Sequence, residues 1–218
     1  IRDSLVTALF YLGLGIFGAI PFWLADATDL TFTASVFESI SGLTTTGATT
    51  IAGLDDLPKS LLLYRQMLQW MGGMGIIVLA VAIFPMLGIG GMQLYRTEYA
   101  GPIKDNKLTP RITETAKALW YIYIGLTAAC AFAYWLAGMD GFDAVSHSFS
   151  TVSIGGFSTH DASLGYFDSA AIETVAIVFM TLSGINFALH FLVWRRRNPL
   201  HYFRDMEVRA YLLSLIHI

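Results

Sequence analysis

The chain has 218 residues, 55% of them hydrophobic and only 13% charged, with a formal net charge of −3 and a mean hydropathy of +0.59. A soluble domain of this size carries about 25% charged residues, so the deficit of charge points to a membrane. The net charge gives no sign of a basic surface for nucleic acid. One cysteine, Cys130 in an apolar run, excludes a disulfide framework and a cysteine-based metal site.

In chain order, residues 5–25 are the first stretch apolar enough to cross a hydrocarbon layer, which takes roughly 20 helical residues. Residues 30–43 are partly apolar, preceded by Asp26 and Asp29 as capping acids. At about 1.5 Å of rise per residue they reach halfway through a ~30 Å core. A Thr/Gly run at 44–50 ends this half-helix, and a second span is predicted over 60–87. A loop at 96–117 leads to a third span at 118–136. A second half-helix at 142–152, preceded by Asp140, ends in a Ser/Gly run at 153–159. A fourth span covers 170–194, and 195–218 read as a loop and the start of a further repeat. An initial Ile and an apolar end in mid-run are expected of a piece of a longer protein.

The expected fold class is therefore an all-α polytopic membrane protein. It has two tandem membrane-pore-membrane repeats, 1–95 and 118–194, with re-entrant half-helices. Lys and Arg gather between the second and third spans (Arg96, Lys104, Lys107, Arg111, Lys117) and after the fourth (Arg195, Arg196, Arg197, Arg204, Arg209). These basic loops are expected in the cytoplasm. The half-helices then enter from outside, beneath a rim carrying Asp26, Asp29, Asp55, Asp56, Asp140, Asp143, Asp161 and Asp168. An acidic mouth concentrates cations.

Shifting the chain by 109 residues superimposes Ser39/Ser148, Ser41/Ser150, Gly47/Gly156 and Thr50/Thr159 in the two runs. The same shift pairs Ser60/Ser169, Met71/Met180, Gly75/Gly184 and Ile76/Ile185. Two spans per repeat make the repeats parallel. Irregular backbone at membrane depth is tolerated only when buried in protein or lining a water-filled cavity. A Thr/Gly-rich loop after a half-helix is most simply a pore lining, its carbonyls replacing an ion's hydration shell. Thr45 and Thr46 of the first run stand at the same register as Ile154 and Gly155 of the second. Thr44, Gly47, Ser153 and Gly156 support the filter, the glycines through backbone angles open to them. A carbonyl-ring pore needs about four such loops; a second copy or further repeats would supply the other two.

The strings Ser41-Gly42-Leu43-Thr44-Thr45-Thr46-Gly47-Ala48-Thr49, Ser150-Thr151-Val152-Ser153-Ile154-Gly155-Gly156-Phe157-Ser158-Thr159 and Tyr202-Phe203-Arg204-Asp205-Met206-Glu207-Val208-Arg209 resemble the Trk/Ktr/HKT superfamily of potassium transporters, nearest its bacterial members. The resemblance covers essentially the whole chain. It implies four membrane-pore-membrane repeats in one polypeptide, of which these would be the first two. It also implies potassium (K+) uptake across the bacterial inner membrane, with rubidium (Rb+) accepted and ion-contacting carbonyls at Thr45 and Thr46 and at their equivalents Ile154 and Gly155. Implied partners are membrane lipid, a second copy in a homodimer and a cytosolic nucleotide-binding regulatory subunit of the TrkA kind. In plant members, Ser at the first filter glycine goes with sodium selectivity; Gly47 here favours potassium. The family's gating loop and the arginine of its fourth repeat lie outside this sequence.

Other readings attach to the same residues. Glu38, inside the first half-helix, is a functional candidate by default, or a structural one paired with Arg65; His147 holds the corresponding place. Gly72, Gly73 and Gly75 serve close helix packing or a hinge. Ser148, Ser150, His147 and His160 are the raw material of an intramembrane hydrolase, with no orienting acid specified. A nonselective monovalent cation channel subunit is a third class.

Overall fold

The computed structural model describes residues 2–75 and 112–217, and among them every regular element is a helix. The loop predicted at 96–117 and the inner part of the span predicted at 60–87 lie largely outside the described residues, as do Arg96, Lys104, Lys107, Arg111 and the match at Ile76.

The first span is not continuous. Helix α1 (Arg2–Gly18) gives way at Ala19 to α2 (Ile20–Leu24). Pro21 has no N–H to donate back along the helix, and Ala19 N–H shares its bond between Gly15 O (3.1 Å) and Ile16 O (3.3 Å). The first half-helix is α3 (Phe32–Leu43). Its cap is Thr31, whose hydroxyl accepts from Ala34 N–H at 3.3 Å, rather than either acid proposed from the sequence. Asp29 instead occupies the turn before it, with φ of 44°. Helix α4 (Lys59–Trp70) then packs back against α3. It ends in a π-helical turn, Met71–Gly75, distorted at Gly73. A Cβ on Gly72 would strike the backbone of Leu43, so close approach to the end of α3 demands a residue without one. Tyr123 hydroxyl donates to the Trp70 carbonyl (2.9 Å) that the distortion frees.

The second repeat opens with α5 (Ile112–Leu136), whose stretch Lys117–Leu136 is the one described helix long and apolar enough to cross a membrane. Half-helix α6 (Gly141–Val152) is capped by Asp140, which accepts from Asp143 N–H at 2.6 Å. The last span, drawn as unbroken over 170–194, is two helices: α7 (Ala170–Ser183) and α8 (Phe187–Arg196). The break falls at Gly184, against which the Tyr211 ring is packed. His190 Nε2 donates to the Leu182 carbonyl there (3.0 Å) while its Nδ1 accepts from the Tyr202 hydroxyl (2.7 Å). Short α9 (Leu200–Arg204) and α10 (Met206–His217) follow.

Each repeat has its own apolar cluster. Phe22, Leu43, Leu54, Leu61 and Leu68 pack in the first, and Leu119, Cys130, Tyr134, Val152 and Ala176 in the second. Half-helix α6 packs between α5 and α4, so it touches both repeats. Trp70 stacks on Tyr123 and Phe149 at that seam.

Candidate functional site

The half-helices bury polar residues and turn apolar ones outward. Ser35, Glu38, Ser39 and Ser41 of α3 are buried, as are Ser146, His147, Ser148, Ser150 and Thr151 of α6, while Phe37 and Val145 are exposed. Polar side chains facing inward suit helices whose interior surface meets polar loops. Both half-helices are 12 residues long, and their starts, caps and ends differ by the same 109 positions.

The loops that follow repeat bond for bond. Thr44, Thr45 and Thr46 N–H donate to Ile40, Gly42 and Ser41 carbonyls at 2.8, 3.0 and 2.9 Å. Ser153, Ile154 and Gly155 N–H donate to Phe149, Thr151 and Ser150 carbonyls at 3.2, 3.1 and 2.8 Å. Left-handed backbone recurs in register: Thr45 has φ of 53° and Ile154 54°, Gly47 75° and Gly156 84°. Two non-glycine residues held at positive φ mark a backbone fixed by its surroundings. Left-handed residues alternating with ordinary ones turn successive carbonyls toward the same side, whereas an extended strand turns them to opposite sides. Thr44 and Thr46 hydroxyls bond each other at 2.8 Å.

The two loops also touch. A Cβ on Gly47 would collide with the Gly155 carbonyl oxygen, whereas one on Gly156 would meet nothing within 4 Å. Gly155 is buried, while Ile154 is 48% exposed. The Gly155 carbonyl accepts a 2.7 Å bond from Gln69 Nε2, and Phe157 N–H donates to Gln69 Oε1 at 3.1 Å. Gln69 escaped the sequence reading. Its one signal was a polar residue in a stretch expected to span a membrane, and Val178 stands at the matching place in the second repeat.

Behind the loops, Arg65 and Glu38 form a buried ion pair, Nε to Oε1 at 2.9 Å, with side chains 1% and 0% exposed. Glu38 also accepts from Thr49 hydroxyl (2.8 Å) and Thr50 N–H (3.0 Å). Arg65 donates to Thr49 Oγ1 and, across the repeat boundary, to Ser158 O, both at 3.1 Å; its guanidinium lies 4.3 Å from the Phe157 ring centroid. Thus every charge in the pair has partners. His147 takes the place of Glu38 in the second repeat. Its Nδ1 bonds the Asp143 carbonyl (3.0 Å) and therefore carries a proton, leaving Nε2 to accept from Ser158 hydroxyl at 2.9 Å. Ser158 stands 109 residues after Thr49, so the two half-helices tie down their loops at equivalent points by different chemistry.

The hydrolase set named from the sequence does not assemble around Ser148 or Ser150. Ser148 and Ser150 hydroxyls donate to carbonyls of their own helix, Val145 O at 2.7 Å and His147 O at 3.2 Å. Neither bonds a histidine nitrogen, which a serine nucleophile requires.

Beyond the loops, several of the acids expected as a rim are engaged. Asp55 and Asp143 bond the two ring nitrogens of His160, the latter at 3.2 Å. Asp161 accepts from Gly53 and Leu54 N–H at 3.1 and 3.0 Å, closing one repeat on the other. Tyr166 stacks flat on His160, centroids 3.5 Å apart. Hydrogen bonding to His160 holds the Asp55 carboxyl below its ordinary range. Partial burial draws the His160 imidazole down, but the hydrogen bonds and charges of Asp55 and Asp143 outweigh it and raise it overall.

Comparison with known proteins places this geometry. The chain is 64% identical over 215 residues to the Trk system potassium uptake protein TrkH of Halomonas elongata, covering 98% of this chain and 45% of that one. Against TrkH of Escherichia coli K12 it is 61% identical over 208 residues, 95% of this chain and 43% of the relative. The crystal structure of the potassium transporter TrkH from Vibrio parahaemolyticus matches with a TM-score of 0.80 and 56% identity over 98% of this chain and 43% of that one. The chain thus spans less than half the length of these relatives. A family model described as TrkH, cation transport protein, matches residues 2–217, and the chain belongs to the TrkH family.

Proposed function

We propose that this chain supplies two of the four loops of a carbonyl-lined filter through which a longer protein takes up potassium, with rubidium also accepted. The observation that carries the reading is the recurrence, 109 residues apart, of the same left-handed backbone at Thr45/Ile154 and Gly47/Gly156, each at the end of a 12-residue half-helix. Carbonyls of Thr45, Thr46 and Ile154 face the ion in this reading. That of Gly155, already bonded to Gln69, offers its remaining lone pair. Partial negative charge at the C-terminal ends of α3 and α6 favours a cation beside the loops. The potassium named in the relatives' titles agrees with Gly47 at the position where serine goes with sodium in plant members.

The rest of the assembly belongs to the same proposal. Membrane lipid surrounds the helices in the bacterial inner membrane, the loops open outward, and Arg195–Arg197, Arg204 and Arg209 face the cytoplasm. The family resemblance adds a homodimer and a cytosolic nucleotide-binding regulatory subunit, and the words "Trk system" in the relatives' names suit a multi-component machine.

Gly47→Ser in the complete protein tests the filter. The new side chain meets the Gly155 carbonyl and strains a positive φ, so the preference for potassium over sodium should fall about tenfold, the scale of one lost buried interaction. Uptake of rubidium and sodium into vesicles reads it. An unchanged preference would remove Gly47 from the filter.

A further inference from the structure

Gly156, at a φ of 84°, joins two peptides of the second loop through a residue with no side chain to restrict them. Those two peptides are held by one carboxamide instead. Gln69 Nε2 donates to Gly155 O at 2.7 Å, and Gln69 Oε1 accepts from Phe157 N–H at 3.1 Å. The two partners fix which end of the amide is which, since a carbonyl only accepts and a backbone N–H only donates. Gln69 is fully buried, on a helix whose neighbouring turn is anchored by the Arg65–Glu38 pair. The brace therefore stands on a rigid element.

Its reach extends to the other loop. Gly47 packs directly on the Gly155 carbonyl oxygen, so holding that oxygen also fixes the surface on which the first loop rests. A first-repeat side chain thus holds second-repeat backbone, and the oxygen it holds is the one on which the first loop rests.

We propose that Gln69 is a specificity-determining positioning residue. By clamping Gly155 O and Phe157 N–H, it fixes the carbonyl geometry with which the loops replace potassium's hydration shell. The inference rests on the filter reading above. Discrimination between two monovalent cations depends on oxygen positions and their stiffness. A loop free to rotate about Gly156 relaxes around the smaller ion and still conducts.

The experiment uses the full-length protein in vesicles with three variants, each read for rubidium and sodium uptake at matched protein. Gln69→Met removes both bonds at similar volume. Gln69→Glu keeps the acceptor for Phe157 and loses the donor to Gly155. Gly47→Ser reports on the filter itself. The expected result is a fall in rubidium-over-sodium preference of about tenfold for Gln69→Glu, the scale of one buried hydrogen bond, and at least as large for Gln69→Met, while total cation flux persists. A merely structural role would lower both fluxes together and leave the ratio unchanged. Should Gln69→Met fail to insert, Gln69→Glu alone decides by the same ratio. If Gly47→Ser shifts the ratio and the Gln69 variants do not, the brace is overturned and the filter stands. If none of the three shifts it, the filter reading falls and the brace with it.

Discussion

Arg65 carries an ion pair, a cation–π contact and a bond across the repeat boundary, all without access to water. Removing one partner of a buried pair strands the other charge and costs about 3–5 kcal/mol, whereas replacing both with apolar groups is far milder. Arg65→Met should therefore lower the thermal midpoint of the full-length protein in detergent sharply. Adding Glu38→Gln should recover part of that loss, the coupling expected of contacting residues. Purely additive effects would mean the pair is not energetically coupled. His160 is a second test. Its raised pKa contributes stability that is complete below the ordinary value of 6.5 and lost as pH rises through the raised one. The lowered pKa of Asp55 contributes above 3.8 and is lost as pH falls through its lowered value. The link between the repeats is thus tightest between the two ordinary values, 3.8 and 6.5, and loosens as pH rises through the raised His160 value. Melting scans should show a small fall in midpoint over that rise, and His160→Gln should flatten it; an identical slope in the variant would assign the fall to other groups.

At the scale of elements, the two half-helices share a length and a register but not a cap. Thr31 accepts a long 3.3 Å bond, while Asp140 accepts at 2.6 Å and adds a negative charge at a helix N-terminus. Losing a cap costs roughly 0.5–2 kcal/mol, so Asp140→Ala should destabilise by the upper part of that range and Thr31→Ala by the lower, read as melting midpoints. The reverse order would show that the caps are not what sets the two helix starts. The half-helices, their order and the 109-residue register were legible because length against membrane thickness and a repeated Ser/Thr/Gly string are properties of sequence alone. Thr31 was missed because two acids nearby are better caps by residue type, and only the turn at Asp29 decides among them. The breaks at Ala19 and Gly184 were missed for a related reason. An apolar run looks continuous, while the interruption depends on Pro21 in one case and on Tyr211, 27 positions away, in the other. Gln69 lay furthest from view, since its partners stand 86 and 88 residues along the chain.

For the molecule as a whole, the distribution of polarity is inverted relative to a soluble protein. Leu5, Leu9, Leu12 and Ile16 form one exposed stripe of α1, and Ile124, Phe132 and Trp135 of α5 and Ile177 and Val178 of α7 are likewise exposed, while Glu38, Arg65, Gln66, Gln69 and His147 are buried. Water penalises such a surface and lipid does not. In the orientation proposed above, the loops lie outside and the arginines after α8 inside. Thiol labelling tests this cleanly within the chain, because its one cysteine, Cys130, is fully buried. Ala162→Cys lies in the exposed segment beyond the second loop, and Leu200→Cys on the far side of α8 at a residue 53% exposed. In a full-length protein otherwise stripped of reactive thiols, a membrane-impermeant reagent should label Ala162→Cys in intact cells. Leu200→Cys should react only after permeabilisation. The opposite pattern would overturn the proposed orientation of the loops and of the basic segment, and with it the charge asymmetry as a guide to this chain's sidedness.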